Sequence, residues 1–196
     1  MGIVGILLAA GRSERFGSDK LAAPLPRSID DIDAGTPIGF AAYRHLAAAV
    51  PEVVAVVRSG DGVLAEMLRN VGACIVECAR ADEGMGASLA CGVQATPDAD
   101  AWLIALADMP WIKPATIVDL VSALEGRADI VAPLYNGTRG HPVGFARRHY
   151  AALAGLSGDE GARALILANR ATLELRVTDD AGVLRDIDTP SQLSEP

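Results

Sequence analysis

The stretch GILLAAGRSERFGSDK, residues 5–20, joins an apolar run to a basic loop that contains two glycines. The run is apolar at successive positions, which is typical of a strand whose sheet is covered on both faces. This run belongs to residues 2–9, and similar short runs occur at residues 53–58, 73–78, 101–107 and 129–134. Segments with helical patterning lie between them, at residues 62–72, 84–95 and 114–126. This alternation predicts a Rossmann-like, doubly wound α/β fold with a mostly parallel sheet.

The order of elements changes after residue 135. Residues 139–147 read as a strand or hairpin, residues 147–155 and 159–169 as helical, and residues 172–177 as a strand. We find no repeat or linker and expect a single domain over residues 1–196. Sheets of this kind bind ligands beyond the carboxyl ends of their strands, so the loops after the predicted strands are the places to look for chemistry.

Composition and charge exclude several classes of function. The formal net charge of −8 opposes non-specific nucleic-acid binding. No apolar run is long enough for a membrane span, and we recognise no signal peptide, so the cytoplasm is the expected location. Cys74, Cys78 and Cys91 form an odd set with no metal-binding spacing. We expect them to be small buried residues rather than disulfide partners.

The basic loop has two readings when it is taken alone. Gly11 and Gly17 allow a turn whose backbone N–H groups could hold an anion, and Arg12, Arg15 and Lys20 add positive charge. The spacing is neither that of a P-loop nor that of a dinucleotide-binding fingerprint. Phosphate binding and an ordinary basic surface turn therefore both remain open.

The segment LAAGRSERFGSDK, residues 8–20, resembles the N-terminal motif of the MobA-like nucleotidyltransferases, and among them most resembles the molybdenum cofactor cytidylyltransferases. In that family the loop wraps the nucleotide's triphosphate, which implies catalytic roles for Arg12 and Lys20. The nucleotide-binding residues implied in this loop are Leu8, Ala9, Ala10, Gly11, Arg12 and Lys20. The guanylyl-transferring branch usually carries Gly at the position of Ala10, which favours cytidine here.

Asp108 directly follows the predicted strand in LIALADMPWI, residues 103–112. An acid at that point is a turn former, a helix cap or a ligand for a cation. The resemblance identifies LADMP as the family's metal-binding motif. It implies that Asp108 is catalytic, contacts the nucleotide and binds Mg²⁺, with Mn²⁺ as a substitute.

Two further acids occur in DIDTPSQL, residues 186–193. In an extended segment Asp186 and Asp188 project to the same side, although the residues alone favour a solvated acidic turn. The resemblance favours Asp188 over Asp186 as the second metal ligand. Asp188 also occupies a position where the guanylyl branch tends to carry Asn.

The segment RADEGMGASLACGV, residues 80–93, places glycines at the start of a predicted helix. A helix N-terminus suits anions or polar base edges, but a plain glycine-containing loop explains the same pattern. The resemblance implies that Gly84, Met85 and Ser88 contact the base and sugar of the nucleotide.

Two later motifs belong to the half of the family fold that receives the acceptor. RGHPV carries Arg139, Gly140 and His141, and GDEGAR carries Asp159 and Arg163. A capped helix with an Asp159–Arg163 ion pair would explain the second motif without any ligand. The resemblance implies that all five residues bind the phosphate and pterin of the acceptor.

The resemblance implies a Mg²⁺-dependent transfer of CMP from CTP to the phosphate of molybdenum-bound molybdopterin, with release of pyrophosphate. Residues 1–110 would bind the nucleotide, and residues 111–196 would bind the acceptor and complete the metal site. The expected partners are these small molecules and a client molybdoenzyme or its chaperone. Alternatives are GTP, another phosphorylated acceptor, or a non-catalytic protein that delivers molybdopterin.

One segment departs from the family pattern. Residues 22–37 make the region after Lys20 longer than usual, and Gly39 and Phe40 replace the residues expected there. We expect an exposed, acidic loop near the mouth of the site. This departure leaves the exact substrate open more than the fold.

Overall fold

The computed structural model describes residues 2–11, 16, 19–60 and 62–193. The strands of its sheet are β1 (Ile3–Ala9), β2 (Glu52–Arg58), β3 (Cys74–Cys78), β4 (Ala101–Leu106), β5 (Ile130–Tyr135), β6 (Thr138–Arg139), β7 (Val143–Ala146) and β8 (Leu173–Val177). The α-helices are α1 (Ile38–Ala47), α2 (Gly62–Asn70), α3 (Met85–Gln94), α4 (Pro114–Glu125), α5 (Tyr150–Ala154), α6 (Arg163–Ala168) and α7 (Pro190–Leu193). Every apolar run quoted above forms a strand, with ends shifted by one or two residues.

The sheet runs in the order β3-β2-β1-β4-β7-β5, with β6 extending the β5–β7 hairpin. The first four strands are parallel, and β7 lies antiparallel between β4 and β5. The strand β8 pairs in parallel with β5 at the end of the sheet. The predicted single-domain, mostly parallel α/β fold is therefore confirmed.

The core explains why β1 lacks a polar face. Its side chains alternate between two apolar clusters, one on each side of the sheet. Ile3 and Leu7 enter one cluster, and Val4 and Ile6 enter the other. Because helices cover both sides, β1 is buried along its whole length and its last residue leads directly into the basic loop.

The expectation of an exposed loop at residues 22–37 is only half right. Leu25 and Ile32 are almost completely buried in the core, with 2 % and 0 % of their surface exposed. Backbone pairing joins Pro24 to Pro37 and folds the segment back on itself. The acidic residues face solvent while the apolar ones anchor the loop, so charge alone was a poor guide.

The prediction for the cysteines is wrong. Cys78 at the end of β3 and Cys91 on α3 form a disulfide, with Cα atoms 6.0 Å apart. Cys74 is free and exposed. The pairing depends on α3 packing back onto the sheet, which the spacing of the cysteines does not show. Within the described ranges, no helix is long and apolar enough to cross a membrane.

The chain after β8 crosses the end of the sheet as a strap, which we define as residues 178–189. Asp180 anchors it and is 1 % exposed. Its carboxylate accepts hydrogen bonds from the Lys113 amide and the Thr116 hydroxyl at the start of α4, and from the Gly182 amide. Further along, the Ile187 amide donates to the Asp108 carbonyl oxygen at 3.0 Å. The strap thus carries Asp188 to the end of β4.

Candidate active site

A cleft of about 520 Å³ opens at the carboxyl ends of the parallel strands. Its described lining residues are Leu8, Ala9, Ala10, Gly11, Lys20, Leu21, Arg58, Ala81, Asp82, Gly84, Met85, Ser88, Leu106, Asp108 and Asp159. All the described residues predicted to bind the nucleotide line this cleft. We call it the donor cleft. Arg12, predicted to be catalytic, lies outside the described residues, as does Arg15.

Three predicted charges meet in the donor cleft. The Lys20 ammonium lies 2.8 Å from Asp108 Oδ2 and 3.5 Å from Asp188 Oδ1. Lys20 is only 8 % exposed, so its charge is poorly solvated and the two acids compensate it. These residues come from three distant segments of the chain, and the fold brings them to one point.

The two carboxylates suit a divalent cation. A cation, the Lys20 ammonium, already lies between Asp108 and Asp188. No cluster of three or more His, Cys, Asp or Glu side chains forms a metal site in the described chain. Mg²⁺ needs no such cluster when a substrate's phosphate oxygens complete its coordination, and one or two carboxylates then suffice.

The structure adds an ion pair that sequence reasoning missed. Arg58, the last residue of β2, donates to the carbonyl oxygen of Ala10 at 3.1 Å and pairs with Asp82. The pair closes the side of the donor cleft opposite Asp108. Arg58 ends a predicted strand at the ligand-binding edge of the sheet, which is the signal that could have identified it.

The start of α3 is shaped by close packing against the chain around residue 158. Gly84 has φ of +115°, and a Cβ there would overlap the Asp159 carboxylate and lie 2.6 Å from the Gly158 carbonyl carbon. The Gly86 amide donates to the Gly158 carbonyl oxygen at 2.7 Å. Only glycine fits at position 84, and this contact joins the nucleotide and acceptor motifs.

Within α3, the two other predicted residues differ in exposure. Met85 is 44 % exposed at the first position of the helix, while Ser88 is buried. The Ser88 hydroxyl donates to the Gly84 carbonyl oxygen at 3.4 Å. Met85 therefore presents an apolar surface in the donor cleft, and Ser88 supports the turn that precedes it.

A second cavity of about 210 Å³ adjoins the donor cleft, and we call it the acceptor cavity. The two share Leu8, Met85 and Leu106 as walls. Its other described lining residues are Leu89, Ile104, Arg139, His141, Val143, Phe145, Glu160, Gly161, Ala162, Arg163 and Ile166. Mostly apolar walls thus surround a few charged groups.

Two of its polar side chains each have a buried nitrogen atom without a hydrogen-bond partner. Arg139 Nη1 and His141 Nδ1 are inaccessible to solvent and make no hydrogen bond in the described structure. Burial, together with the nearby Arg139 guanidinium, lowers the pKa of His141 to about 4. Burial and the charge of Arg163 lower the pKa of Arg139 from its ordinary value. Among the described lining residues, the acceptor cavity thus has two arginines, Arg139 and Arg163, and one acid, Glu160.

The remaining predicted acceptor residues are not all in this cavity. Arg163 lines it, but Asp159 lines the donor cleft, and the two form no ion pair among the described residues. Gly140 lines neither space, because it packs against the backbone of Val183. Asp186 is exposed near His141, while Asp188 is the acid that reaches Lys20.

The chain resembles known proteins over nearly its whole length. It is 31 % identical over 199 residues to the purine catabolism protein PucB of Bacillus subtilis (strain 168), covering 97 % of this chain and 93 % of PucB. The crystal structure of Rv0371c from Mycobacterium tuberculosis H37Rv matches with a TM-score of 0.80 at 26 % identity, covering 99 % of this chain and 96 % of that one.

A second Rv0371c structure, in complex with manganese, has a TM-score of 0.77 at 23 % identity over 99 % of this chain and 97 % of that one. Because each match covers 99 % of this chain, the similarity of the fold includes the helices and strands around both cavities. The MobA-like NTP transferase domain matches residues 5–173. The chain therefore belongs to the MobA-like nucleotidyltransferase family.

Proposed function

We propose that this protein transfers CMP from CTP to the terminal phosphate of molybdenum-bound molybdopterin and releases pyrophosphate. The observation that carries the proposal is the meeting of Lys20, Asp108 and Asp188 in the donor cleft. An oxygen of the acceptor phosphate attacks the α-phosphorus of CTP. The bond from that phosphorus to the oxygen bridging toward the β-phosphorus breaks, and pyrophosphate leaves with the electron pair.

The residues of the donor cleft suit this reaction because both reactants are anions. The attacking phosphate oxygen is already negative near neutral pH, so no strong general base is required. The protein must hold the two anions in line and offset the charge that develops on the α-phosphate and the leaving pyrophosphate. We propose that Lys20, Arg12 and the backbone N–H groups around Gly11 have that role.

Asp108 and Asp188 would hold Mg²⁺, or Mn²⁺ in its place, together with phosphate oxygens of CTP. A divalent cation bound there would polarise the α-phosphate and neutralise part of the triphosphate's charge. The likeness to Rv0371c, whose structure in complex with manganese is known, supports the use of a divalent cation.

The choice of cytidine rests on two residues. Ala10 and Asp188 occupy positions where the guanylyl-transferring branch usually has Gly and Asn. Ala10 lines the donor cleft, is 6 % exposed, and accepts a hydrogen bond from Arg58 at its carbonyl oxygen. GTP is the competing donor, and direct competition separates the two.

The acceptor cavity supports an anionic, partly apolar acceptor. Arg139 and Arg163 supply positive charge, and the apolar walls suit a flat ring system. The similarity to a purine catabolism protein leads us to propose a client molybdoenzyme in purine catabolism.

The decisive experiment combines Asp108→Asn with a matched control, Asp98→Asn, at an exposed position away from both cavities. With CTP, molybdopterin and Mg²⁺, we expect Asp108→Asn to reduce pyrophosphate release by about 100-fold to 1,000-fold. Asp98→Asn should match the wild type. Near-wild-type turnover by a folded Asp108→Asn protein would overturn the assignment of the metal site.

The donor base is tested separately by melting the protein with each nucleoside triphosphate and Mg²⁺. We expect CTP to raise the melting temperature most. A larger shift with GTP would contradict the choice of cytidine while leaving the family and the metal site in place.

A further inference from the structure

The outer edge of β8 is open. Its inner edge pairs with β5 over residues 173–177, and no described residue pairs with the other side. An exposed edge presents unpaired backbone N–H and C=O groups, which favours pairing with another strand. The sequence of β8 is LELRV.

One hydrogen bond shows which backbone groups of β8 face outward. The Thr178 amide donates to the Leu134 carbonyl oxygen at 3.0 Å, so Thr178 faces β5. Backbone groups alternate in direction along a parallel strand, and Glu174 and Arg176 therefore also face β5. The outward N–H and C=O groups belong to Leu173, Leu175 and Val177.

The side chains of β8 alternate between the two faces of the sheet. Arg176 bonds Asp119 on α4, at 2.9 Å and 2.5 Å, which places Glu174 and Arg176 on the α4 side of the sheet. On the opposite side Leu175 is 41 % exposed and Val177 is 82 % exposed. The open edge therefore has one charged face and one apolar face.

We propose that β8 pairs antiparallel with β8 of a second copy of this chain, about a two-fold axis that passes beside Leu175. In this register Leu175 lies opposite Leu175 of the second copy, and Leu173 lies opposite Val177. These are the residues whose backbone groups face outward, so they form the hydrogen-bonded pairs. The exposed apolar side chains then pack against one another on one face of the ribbon.

Charge selects a second copy as the occupant. In the same register Glu174 of each copy lies opposite Arg176 of the other. This is a non-hydrogen-bonded pair, in which the side chains approach most closely. Glu174 and Arg176 already contact within one chain at 3.1 Å, so the two copies together form a four-membered network. The strand LELRV is thus complementary to itself when it is read in the opposite direction.

The pairing leaves the cavities accessible. No residue of β8 is among the described lining residues of the donor cleft or the acceptor cavity. We therefore expect the monomeric variants below to retain the turnover of the wild type.

The test is a charge exchange followed by sedimentation at roughly 100 µM protein, since small interfaces bind weakly. The wild type should sediment at twice the chain mass of 20.3 kDa. Glu174→Arg places four arginines along the ribbon, and Arg176→Glu places four glutamates, so each variant alone should be monomeric. An equimolar mixture restores both opposite-charge pairs and should recover the dimer.

Glu66→Arg, an equal change of charge on α2 near the other edge of the sheet, is the matched control and should remain dimeric. Melting curves show whether each variant is folded. A monomeric wild type, a dimer that survives both single exchanges, or a mixture of the variants that stays monomeric would each overturn the proposal.

Discussion

The donor cleft and the acceptor cavity lie side by side, yet they differ in whether their buried polar groups have partners. In the donor cleft, Lys20 is matched by Asp108 and Asp188. In the acceptor cavity, Arg139 Nη1 and His141 Nδ1 are buried with no hydrogen-bond partner among the described residues. In the described structure, the Lys20 ammonium thus has ion-pair partners, while these two buried nitrogen atoms have no hydrogen-bond partner.

This difference shows where binding energy is available. A buried polar group without a partner costs about 1–3 kcal/mol, which a ligand that supplies the partner recovers. An anion that binds in the acceptor cavity can supply these missing hydrogen bonds, and this makes its binding free energy more favourable. In the donor cleft a ligand must instead rearrange charges that already satisfy one another.

The largest effect is expected from a substitution of Lys20 in the donor cleft. Lys20→Met removes the cation between Asp108 and Asp188, so the triphosphate loses a positive contact and the two acids repel each other. We expect pyrophosphate release to fall by about 100-fold or more. Lys113→Met, at an exposed lysine, is the control, and equal activity of the two variants would rule out a role for Lys20 in the reaction.

A large loss of stability is expected from a substitution of Asp180, which anchors the strap to the start of α4. Asp180→Ala leaves the Lys113 amide, the Thr116 hydroxyl and the Gly182 amide without their acceptor. Such an unsatisfied set should lower the free energy of unfolding by about 3 kcal/mol in urea titrations. Asp180→Asn keeps one oxygen and should cost less, and an unchanged unfolding curve for the alanine variant would show that the strap is held by other contacts.

Arg139→Met should affect the acceptor cavity alone. The KM for the acceptor should rise by roughly 10-fold to 100-fold, because a charged hydrogen bond to the ligand is lost. The KM for CTP should stay unchanged, and the melting temperature should not fall, since the substitution removes a buried Nη1 group that has no hydrogen-bond partner in the described structure. A parallel rise in both KM values would mean that the two cavities do not act separately; Arg170→Met serves as the control.

The smallest effect is expected from the pH dependence of His141. Its pKa is about 4 in the folded protein and near 6.5 when unfolded, so the unfolded state binds more protons between these values. Stability is thus fully present above pH 6.5 and declines as the pH falls toward 4. His141→Gln should remove roughly 2 kcal/mol of this decline, measured as the difference between the unfolding free energies at pH 7 and pH 4. Identical pH profiles for both proteins would contradict the low pKa.

Much of this organisation was predictable from local sequence. The apolar run of β1 is buried on both sides of the sheet, and Asp108 follows β4 as expected. These two predictions succeeded because each depends on a short pattern and on the rule that ligands bind at the carboxyl ends of parallel strands. The resemblance predicted that Asp188 joins Asp108 in a metal site; both acids lie beside Lys20, although 168 residues separate Lys20 from Asp188, and the metal site stays a prediction.

Other features depend on contacts between segments and were missed. The Arg58–Asp82 pair and the Cys78–Cys91 disulfide each join elements that only the packed sheet brings together. Burial of Leu25 within an acidic loop likewise depends on a core that the loop's own composition does not reveal. The role of Arg12 stays a prediction, because it lies outside the described residues.

Gly140 has a consequence for mutational screens of this family. Its lack of a side chain makes room for the backbone of Val183, and it lines neither cavity. A screen for activity at a fixed, low acceptor concentration would group it with its neighbour Arg139, because substituting either residue should lower the measured activity. At Gly140, however, the damage would come from displacement of the strap and so of Asp188. Increased acceptor concentration should therefore rescue substitutions at Arg139 but not those at Gly140.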